Sequence, residues 1–379
     1  MINCNRRDGS ARAVNEVAER LSRRGHDVHV FARTIEDLDC SHLTWRRIPG
    51  PSWPDFVDFT TYHLLAGYYI KAADFDIVHS IGNNAAAANV ITIQNIQPAK
   101  RKFMSAALNV ERTSMLRKVA KWLFLEITTA AEKRVYRVNK GGRRLPLYLP
   151  VSRGVEAELR SHYAIGSAPV HIIPNAADTA KFRPLSSDER LRWRRTEGLA
   201  ADDIVLAFCG GEWARKGLDL AIQALALVPE DKVKLFVAGD DPDRDRLKAL
   251  ARELGVGHRV TFGGFRRDMP AALASADLFL FPSWYEAFSL ATIEAAACGL
   301  PIVATKINGT EDFIQPGVTG EFVPHDATEI ASTLRRLLQK PEKLRSMGAA
   351  ARQLVERNYT WDRITDMTEE AYRAYLNGV

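Results

Sequence analysis

Two glutamates eight residues apart, Glu286 and Glu294, stand in the segment FPSWYEAFSLATIEAAACGLP that closes at Pro301. The run Asp277-Leu-Phe-Leu-Phe-Pro282 reads as a buried strand, and a short polar turn after it carries Glu286. A helix-forming stretch then opens near Ser289, holds Glu294 and stops at Gly299-Leu-Pro301. Strand, turn and helix in that order place the backbone N–H groups of Phe288, Ser289 and Leu290 at a helix N-terminus, which suits a phosphate. Glu294, about a turn and a half into the helix, is within reach of a ribose extending from that phosphate. Glu286 suits sugar hydroxyls, because a carboxylate accepts two hydroxyl bonds at once. A bare spacing of two glutamates is common; set between a strand and a Gly-x-Pro stop it is specific.

Arg215 and Lys216 follow the strand-like run 204–208, in a Gly-containing loop that opens the helical pattern 218–227. Two cations at the carboxyl end of a strand suit a diphosphate that gains charge as a bond to it breaks. A solvated helix start is the plainer reading, although cations there oppose the helix dipole. The acidic run Asp240-Asp241-Pro-Asp243 has the look of a metal-binding pair. Asp-Asp and Asp-Pro are also common turn residues, and we read a turn and expect no metal.

These residues need a frame. Short Val/Ile/Leu/Phe runs alternate with helical patterns throughout, which predicts βαβ units and parallel sheets. In the first half the strand candidates are 27–31, 45–48, 77–79, 88–93, 145–151 and 170–173; in the second they are 204–208, 234–238, 260–262, 278–281, 302–305 and 320–323. The length of 379 residues suits two domains, with a hinge at 174–184. The composition, 46% hydrophobic and 26% charged, is that of a soluble globular protein. No apolar run approaches the ~18 residues needed to span a bilayer, and the amino end has no secretory pattern. Cys4, Cys40, Cys209 and Cys298 are scattered, so we expect reduced, mostly buried thiols in a cytoplasmic protein. Charge is uneven. Residues 1–180 carry 25 Lys and Arg against 17 Asp and Glu, and the excess lies in 100–144, with 13 basic and 3 acidic residues. Such a half faces an anionic membrane, a phosphorylated acceptor or nucleic acid; no nucleic-acid-binding pattern appears, so we exclude the last. The stretch 116–137 is either a membrane-facing amphipathic surface or a buried helix pair with a solvated basic face.

The motifs run in register with a known family. FCGGEWARKGLDLAIQAL from Phe208, LFVAGDDPDRDRLKALARELGV from Leu235, VTFGGF from Val260 and the Glu286–Glu294 segment resemble the donor half of the family-4 retaining glycosyltransferases of the GT-B fold. VNEVAERLSRRGHDVHVF from Val14, FDIVHSIGNN from Phe75 and LPVSRGVEAELRSHY from Leu149 resemble its acceptor half, and IIPNAADTAKF from Ile172 its hinge. Within the family, GGEWARKG and the middle segment are similar to lipopolysaccharide core glucosyltransferases that attach glucose to a heptose. The resemblance implies an α/β, GT-B architecture: two Rossmann-like doubly wound domains facing a cleft, 1–180 binding acceptor and 181–360 binding donor. The amphipathic pattern 361–379 implies a final helix that crosses back to the first domain.

The resemblance also assigns roles. Arg215, Lys216 and Glu286 would be catalytic. With Phe288, Ser289, Leu290, Glu294 and Gly309, which matches the family's glycine-bearing loop beside the sugar, they would bind a nucleotide-diphosphate sugar, UDP-linked, as co-substrate; no cofactor is implied. Family members often carry Arg where Gly211 stands, which leaves Arg215 to supply the second charge. Asp8, Gly9, Ser10, His79 and Asn83 are the acceptor-side candidates, Asp8 alternatively a plain N-cap. His79 matches the first histidine of the family's DxxHxH arrangement, which supports the strand end; the second position is Ile81. The expected function is metal-independent, retaining transfer of a sugar to a glycan or lipid-linked acceptor of the cell envelope. The expected place is the cytoplasm, or the inner face of the membrane. A GT-B nucleotide-sugar epimerase and an inactive sugar-binding relative are the alternatives. Finally, only Met1-Ile-Asn-Cys-Asn5 precede the first turn, so either the first strand is unusually short or an apolar run lies ahead of Met1; we expect the second.

Overall fold

A computed structural model describes residues 2–4, 9–36, 38–70, 74–101, 115–136 and 145–378, with positions 10 and 115–118 described by backbone alone. Asp8, the side chain of Ser10 and much of 100–144 therefore lie outside the described residues. The chain forms two compact units, Met1–Asn175 with Trp361–Val379, and Ala176–Thr360. The boundary falls five residues earlier than residue 180, because Ala176 and Ala177 are buried and Ala177 is bridged to Thr360 within the second unit.

Among the described residues of the first unit every strand pairing is parallel. β1 (Asn3–Cys4) pairs with β3 (Thr34–Ile35), β2 (His29–Ala32) with β4 (Thr44–Arg47), and β5 (His79–Ile81) with β6 (Val90–Ile93), which pairs in turn with β7 (Leu147–Pro150). The expected strand 170–173 runs beside β7 without completing a ladder: Val170 bridges Tyr148 and Ile173 N–H donates to the Pro150 carbonyl, but Pro150 has no N–H to return a bond. β6 and β7 are buried along their whole length, as strands covered on both faces must be. The final helix, Trp361–Asn377, packs on the helix Gly9–Arg23 through Arg20–Asp362 at 2.7 Å, Arg24–Asp366 at 2.7 Å and Arg24–Glu369 at 3.0 Å. Beneath these ion pairs Trp361, Ile364, Ala371 and Tyr375 are buried, and their burial contributes more than surface charge pairs can.

The second unit holds one six-stranded parallel sheet: β8 (Ile204–Cys209), β9 (Val233–Ala238), β10 (Val260–Gly264), β11 (Leu278–Phe281), β12 (Ile302–Thr305) and β13 (Gly320–Val323), in the order β10-β9-β8-β11-β12-β13. The chain builds outward from β8 to β10, then returns to the other side of β8 and builds outward again. The carboxyl ends of β8 and β11 thus flank the point where strand order reverses, where α/β sheets present ligand sites. Leu206, Phe208, Leu235, Val237, Leu278 and Leu280 join helical residues Leu218, Ile222, Ile330 and Leu334 in one core. All six strands expected here form, because each is an apolar run between turn residues.

Candidate functional site

Two loops leave the carboxyl ends of β8 and β11 and lock to each other. Arg215 and Lys216 are the last residues of a one-turn helix, Trp213–Lys216, which ends at Gly217. The helix Leu218–Ala226 opens directly after Gly217, as expected; the added feature is the short turn that carries the two cations ahead of it. The Lys216 ammonium lies 3.2 Å from Glu286 Oε1, and Arg215 Nη1 donates to the same oxygen at 2.8 Å. Arg215 also donates to the Tyr285 carbonyl at 2.5 Å and, through Nη2, to Glu212 at 2.7 Å. The backbone answers in the opposite direction: Trp284 N–H donates to the Arg215 carbonyl at 2.9 Å, and Ser283 Oγ to the same oxygen at 3.2 Å. Burial pushes the Glu286 carboxyl up, but Lys216 and Arg215 outweigh it and hold it below its ordinary value. Burial likewise works against the Arg215 charge, and Glu286 with Glu212 raises it. Two cations thus converge on one carboxylate oxygen, the arrangement of charge-assisted bonds that an incoming oxyanion can take over.

Helix Leu290–Ala297 follows the turn, capped by Ser289, whose hydroxyl accepts from Thr292 N–H at 3.3 Å. Phe288, Ser289 and Glu294 are all buried. The thiol of Cys209, at the end of β8, is pushed up to about 12 by burial and lies in the fields of Lys216, Glu294 and Glu286. So both glutamates and the lysine gather round one strand end. Gly309 closes the group from below. With φ at +78°, a Cβ there would stand 2.7 Å from Phe288 Cα and 3.0 Å from the Ala287 carbonyl. Only a glycine lets this loop press against the Glu286 turn.

Glu212 is the member that sequence reasoning missed. Its φ of 53° makes it the one non-glycine residue with positive φ among the described residues, and it orients Arg215 from the opposite side to Glu286. The signal was the Gly-Gly-Glu run just before the cations; a left-handed residue costs about 1–2 kcal/mol, and such strain gathers at functional sites. The stack of His325 on Trp284, with ring centroids 3.9 Å apart, was also missed. His325 Nε2 lies 2.9 Å from the Ser283 carbonyl and steadies the turn. The acidic run is a turn: Asp241 accepts from Trp213 N–H at 3.1 Å and from Asp243 N–H at 2.9 Å, while Asp243 pairs with Arg246.

The acceptor-side candidates are placed differently. Gly9 opens the helix Gly9–Arg23. His79 Nδ1 lies 2.5 Å from the Tyr372 hydroxyl and Nε2 2.6 Å from the Thr92 hydroxyl, so both ring nitrogens are occupied. Burial pushes its pKa down to about 4, leaving it neutral. Asn83 is buried and donates to the Thr128 carbonyl at 2.6 Å. His79 ties β5 and β6 to the final helix, and Asn83 ties the β5 loop to helix Met115–Val135. Nearby, Glu132 accepts from the Tyr163 hydroxyl at 2.7 Å and from Gln97 N–H at 3.1 Å, and burial pushes it up to about 7.

Comparison with known proteins follows the same division. Residues 7–181 match the model of Glycosyltransferase Family 4, and 189–354 that of Glycosyl transferases group 1. The uncharacterized glycosyltransferase MJ1607 of Methanocaldococcus jannaschii is 30% identical over 230 residues, and the chain spans 59% of that protein's length. The lipopolysaccharide glucosyltransferase WaaG of Escherichia coli K12 is 26% identical over 344 residues, 89% of this chain and 88% of that protein. A crystal structure of WaaG, a glycosyltransferase involved in lipopolysaccharide biosynthesis, superimposes with a TM-score of 0.79 at 22% identity, covering 100% of this chain and 99% of that one. Anabaena Alr3699/HepE in complex with UDP gives 0.75 at 19% identity, covering 99% and 100%. A parallel α/β architecture in two units, matched from end to end by such structures, with both halves matched by glycosyltransferase models, places this chain among the glycosyltransferases of the GT-B fold.

Proposed function

We propose that this chain moves a sugar from a nucleotide-diphosphate sugar, UDP-linked, to a glycan or lipid-linked acceptor of the cell envelope, retaining the anomeric configuration and using no metal. The observation that carries the reading is the pair Arg215 and Lys216, both bonded to one Glu286 oxygen where the second unit's strand order reverses. A diphosphate entering there takes over the cations and frees the Glu286 carboxylate for sugar hydroxyls. Glu294 takes the ribose, and the helix N-terminus at Phe288, Ser289 and Leu290 takes phosphate charge. The bond from the anomeric carbon to the diphosphate oxygen breaks as Arg215 and Lys216 stabilise the charge that develops. The acceptor hydroxyl oxygen bonds to the same carbon on the same face, and its proton passes to the departing phosphate oxygen. No protein base is needed, in keeping with His79 being tied down.

The likeness to WaaG supports an envelope acceptor, and the UDP held by HepE supports a UDP donor. The first unit takes the acceptor, with Gly9, Ser10 and Asp8 at its side, and the second takes the donor. The chain works in the cytoplasm at the inner membrane face, contacting anionic lipid through 100–144, where Val119 and Trp122 are exposed. Among the described residues no helix is long and apolar enough to cross a membrane. A thermal-shift panel of UDP, GDP, ADP and their sugars tests the donor, since ligand bound to the native state raises stability. UDP and a UDP-sugar should give the largest shifts, and a UDP-sugar incubated alone should yield no epimer. No shift with any nucleotide would overturn the site.

A further inference from the structure

The turn that carries Glu286 also presents an aromatic surface that the diphosphate and ribose contacts do not use. Trp284 is 41% exposed, between the buried Ser283 and Tyr285. Single exposed apolar side chains are common on any protein, but this one is held still. The His325 ring lies flat against the indole, with 6° between the two planes. His325 follows β13, and its Nε2 lies 2.9 Å from the Ser283 carbonyl, which also accepts from Thr305 Oγ1 at the end of β12. The turn after β11 and the ends of β12 and β13 thus fix the indole together. Since His325 covers one face of the indole, the exposure belongs to the opposite face and the ring edge. Among the described residues no other exposed tryptophan lies flat on a second ring.

The ring edge is also unused. Trp45, Trp193 and Trp213 donate their indole N–H groups to Ala32, Asp268 and Gly210. The indole N–H of Trp284 meets no acceptor among the described residues. Its position ties it to the site: the Trp284 backbone N–H donates to the Arg215 carbonyl at 2.9 Å, and Glu286 is two residues on. A fixed aromatic face with a free donor at its rim is complementary to a sugar. One face of a pyranose ring is lined by C–H bonds whose partial positive charge meets the negative face of an aromatic ring. Hydroxyls at the rim of the same sugar accept from an N–H donor. A nucleobase also stacks on aromatic rings, but Trp284 stands two residues from Glu286, the proposed sugar contact, and ten from Glu294, the proposed ribose contact.

We propose that the open face of Trp284 seats a pyranose ring, and that His325 is the positioning residue that keeps the indole flat for it. This rests on the reading that the chain transfers a sugar from a UDP-sugar. The ring belongs to the donor sugar or to a glycan, two sources of one chemistry that experiment separates. Because the indole is ordered before the sugar arrives, little side-chain freedom is lost on binding.

Proton NMR of the ligand tests this with UDP-glucose and with the methyl glycosides of glucose, galactose and mannose, each mixed with the full chain. A sugar seated on an indole has its facing C–H protons moved upfield by the ring current. That shift is expected on the hexose protons of UDP-glucose, which assigns a donor sugar, or on those of a methyl glycoside, which assigns a glycan. Trp284→Ala should abolish the shift and weaken the responding sugar about tenfold. Trp284→Phe should restore part of both, and His325→Ala should weaken binding severalfold with the indole still present. The rise in Tm with UDP reports the donor site separately and should be equal in the wild type and all three variants. Upfield shifts confined to the uracil protons, no shift with any of these sugars, or equal shifts in Trp284→Ala would overturn the proposal.

Discussion

At the scale of single residues, each candidate is defined by what already holds it. Lys216 and Arg215 share one Glu286 oxygen, with Glu212 as a second partner of Arg215, whereas both ring nitrogens of His79 are taken by Tyr372 and Thr92 and Asn83 donates to the Thr128 carbonyl. We therefore expect Lys216→Ala or Glu294→Ala to lower sugar transfer by roughly 10²-fold or more, the scale of one lost preorganised contact, with little change in Tm. Wild-type turnover in either variant would remove the donor site from this place. Two buried groups of the first unit oppose each other in acid. His79 is held neutral down to about pH 4 against an ordinary 6.5, so the stability it confers above 6.5 is lost as pH falls. Glu132 keeps its proton up to about 7 against an ordinary 4.5, so its contribution is full below 4.5 and lost as pH rises through 7. Between 4.5 and 6.5 the two slopes, each about 1.4 kcal/mol per pH unit, offset one another. Glu132→Gln should leave the His79 slope exposed, and Tm should fall more steeply than wild type from pH 6.5 to 4.5. Parallel Tm profiles would show that the two do not compensate.

At the scale of elements, the second unit was legible because its strands are unbroken apolar runs bounded by Gly, Pro and Asp. The first was less so. β1 and β3 are two residues each, too short to show a period, and 170–173 is apolar enough for a strand but finds only one bridge. Sequence placed Arg215, Lys216 and Glu286 on two loops, since their charge is written in their types. It did not show Glu212, whose part depends on a left-handed backbone, nor that His79 is claimed by a helix 293 residues away. The turn between β11 and its helix depends on Gly309 for its position. Gly309→Ala should displace Phe288 and the Glu286 turn and lower kcat by about tenfold to a hundredfold, with the fold retained by circular dichroism. Unchanged kcat would mean that the turn tolerates the shift.

At the scale of the whole molecule, the carboxylates of Asp240, Asp241 and Asp243 are engaged in a turn and its ion pairs, and the proposed diphosphate site is the pair of cations beside Glu286. Transfer should accordingly persist in excess EDTA. Abolition by chelation and rescue by manganese would reopen the role of that acidic turn. The final helix has a consequence of another kind. Because Trp361–Asn377 belongs to the first unit, that unit is discontinuous: its amino-terminal part waits for the last residues of the chain before Arg20, Arg24 and His79 meet Asp362, Asp366 and Tyr372. The order of synthesis and the order of completion are therefore reversed. Residues 176–360 are all made before Trp361–Asn377, which the first unit needs, appears. A chain arrested at residue 360 should yield a protease-resistant second unit and a first unit that is readily cut, and supplying 361–379 as a peptide should restore the resistance of the first.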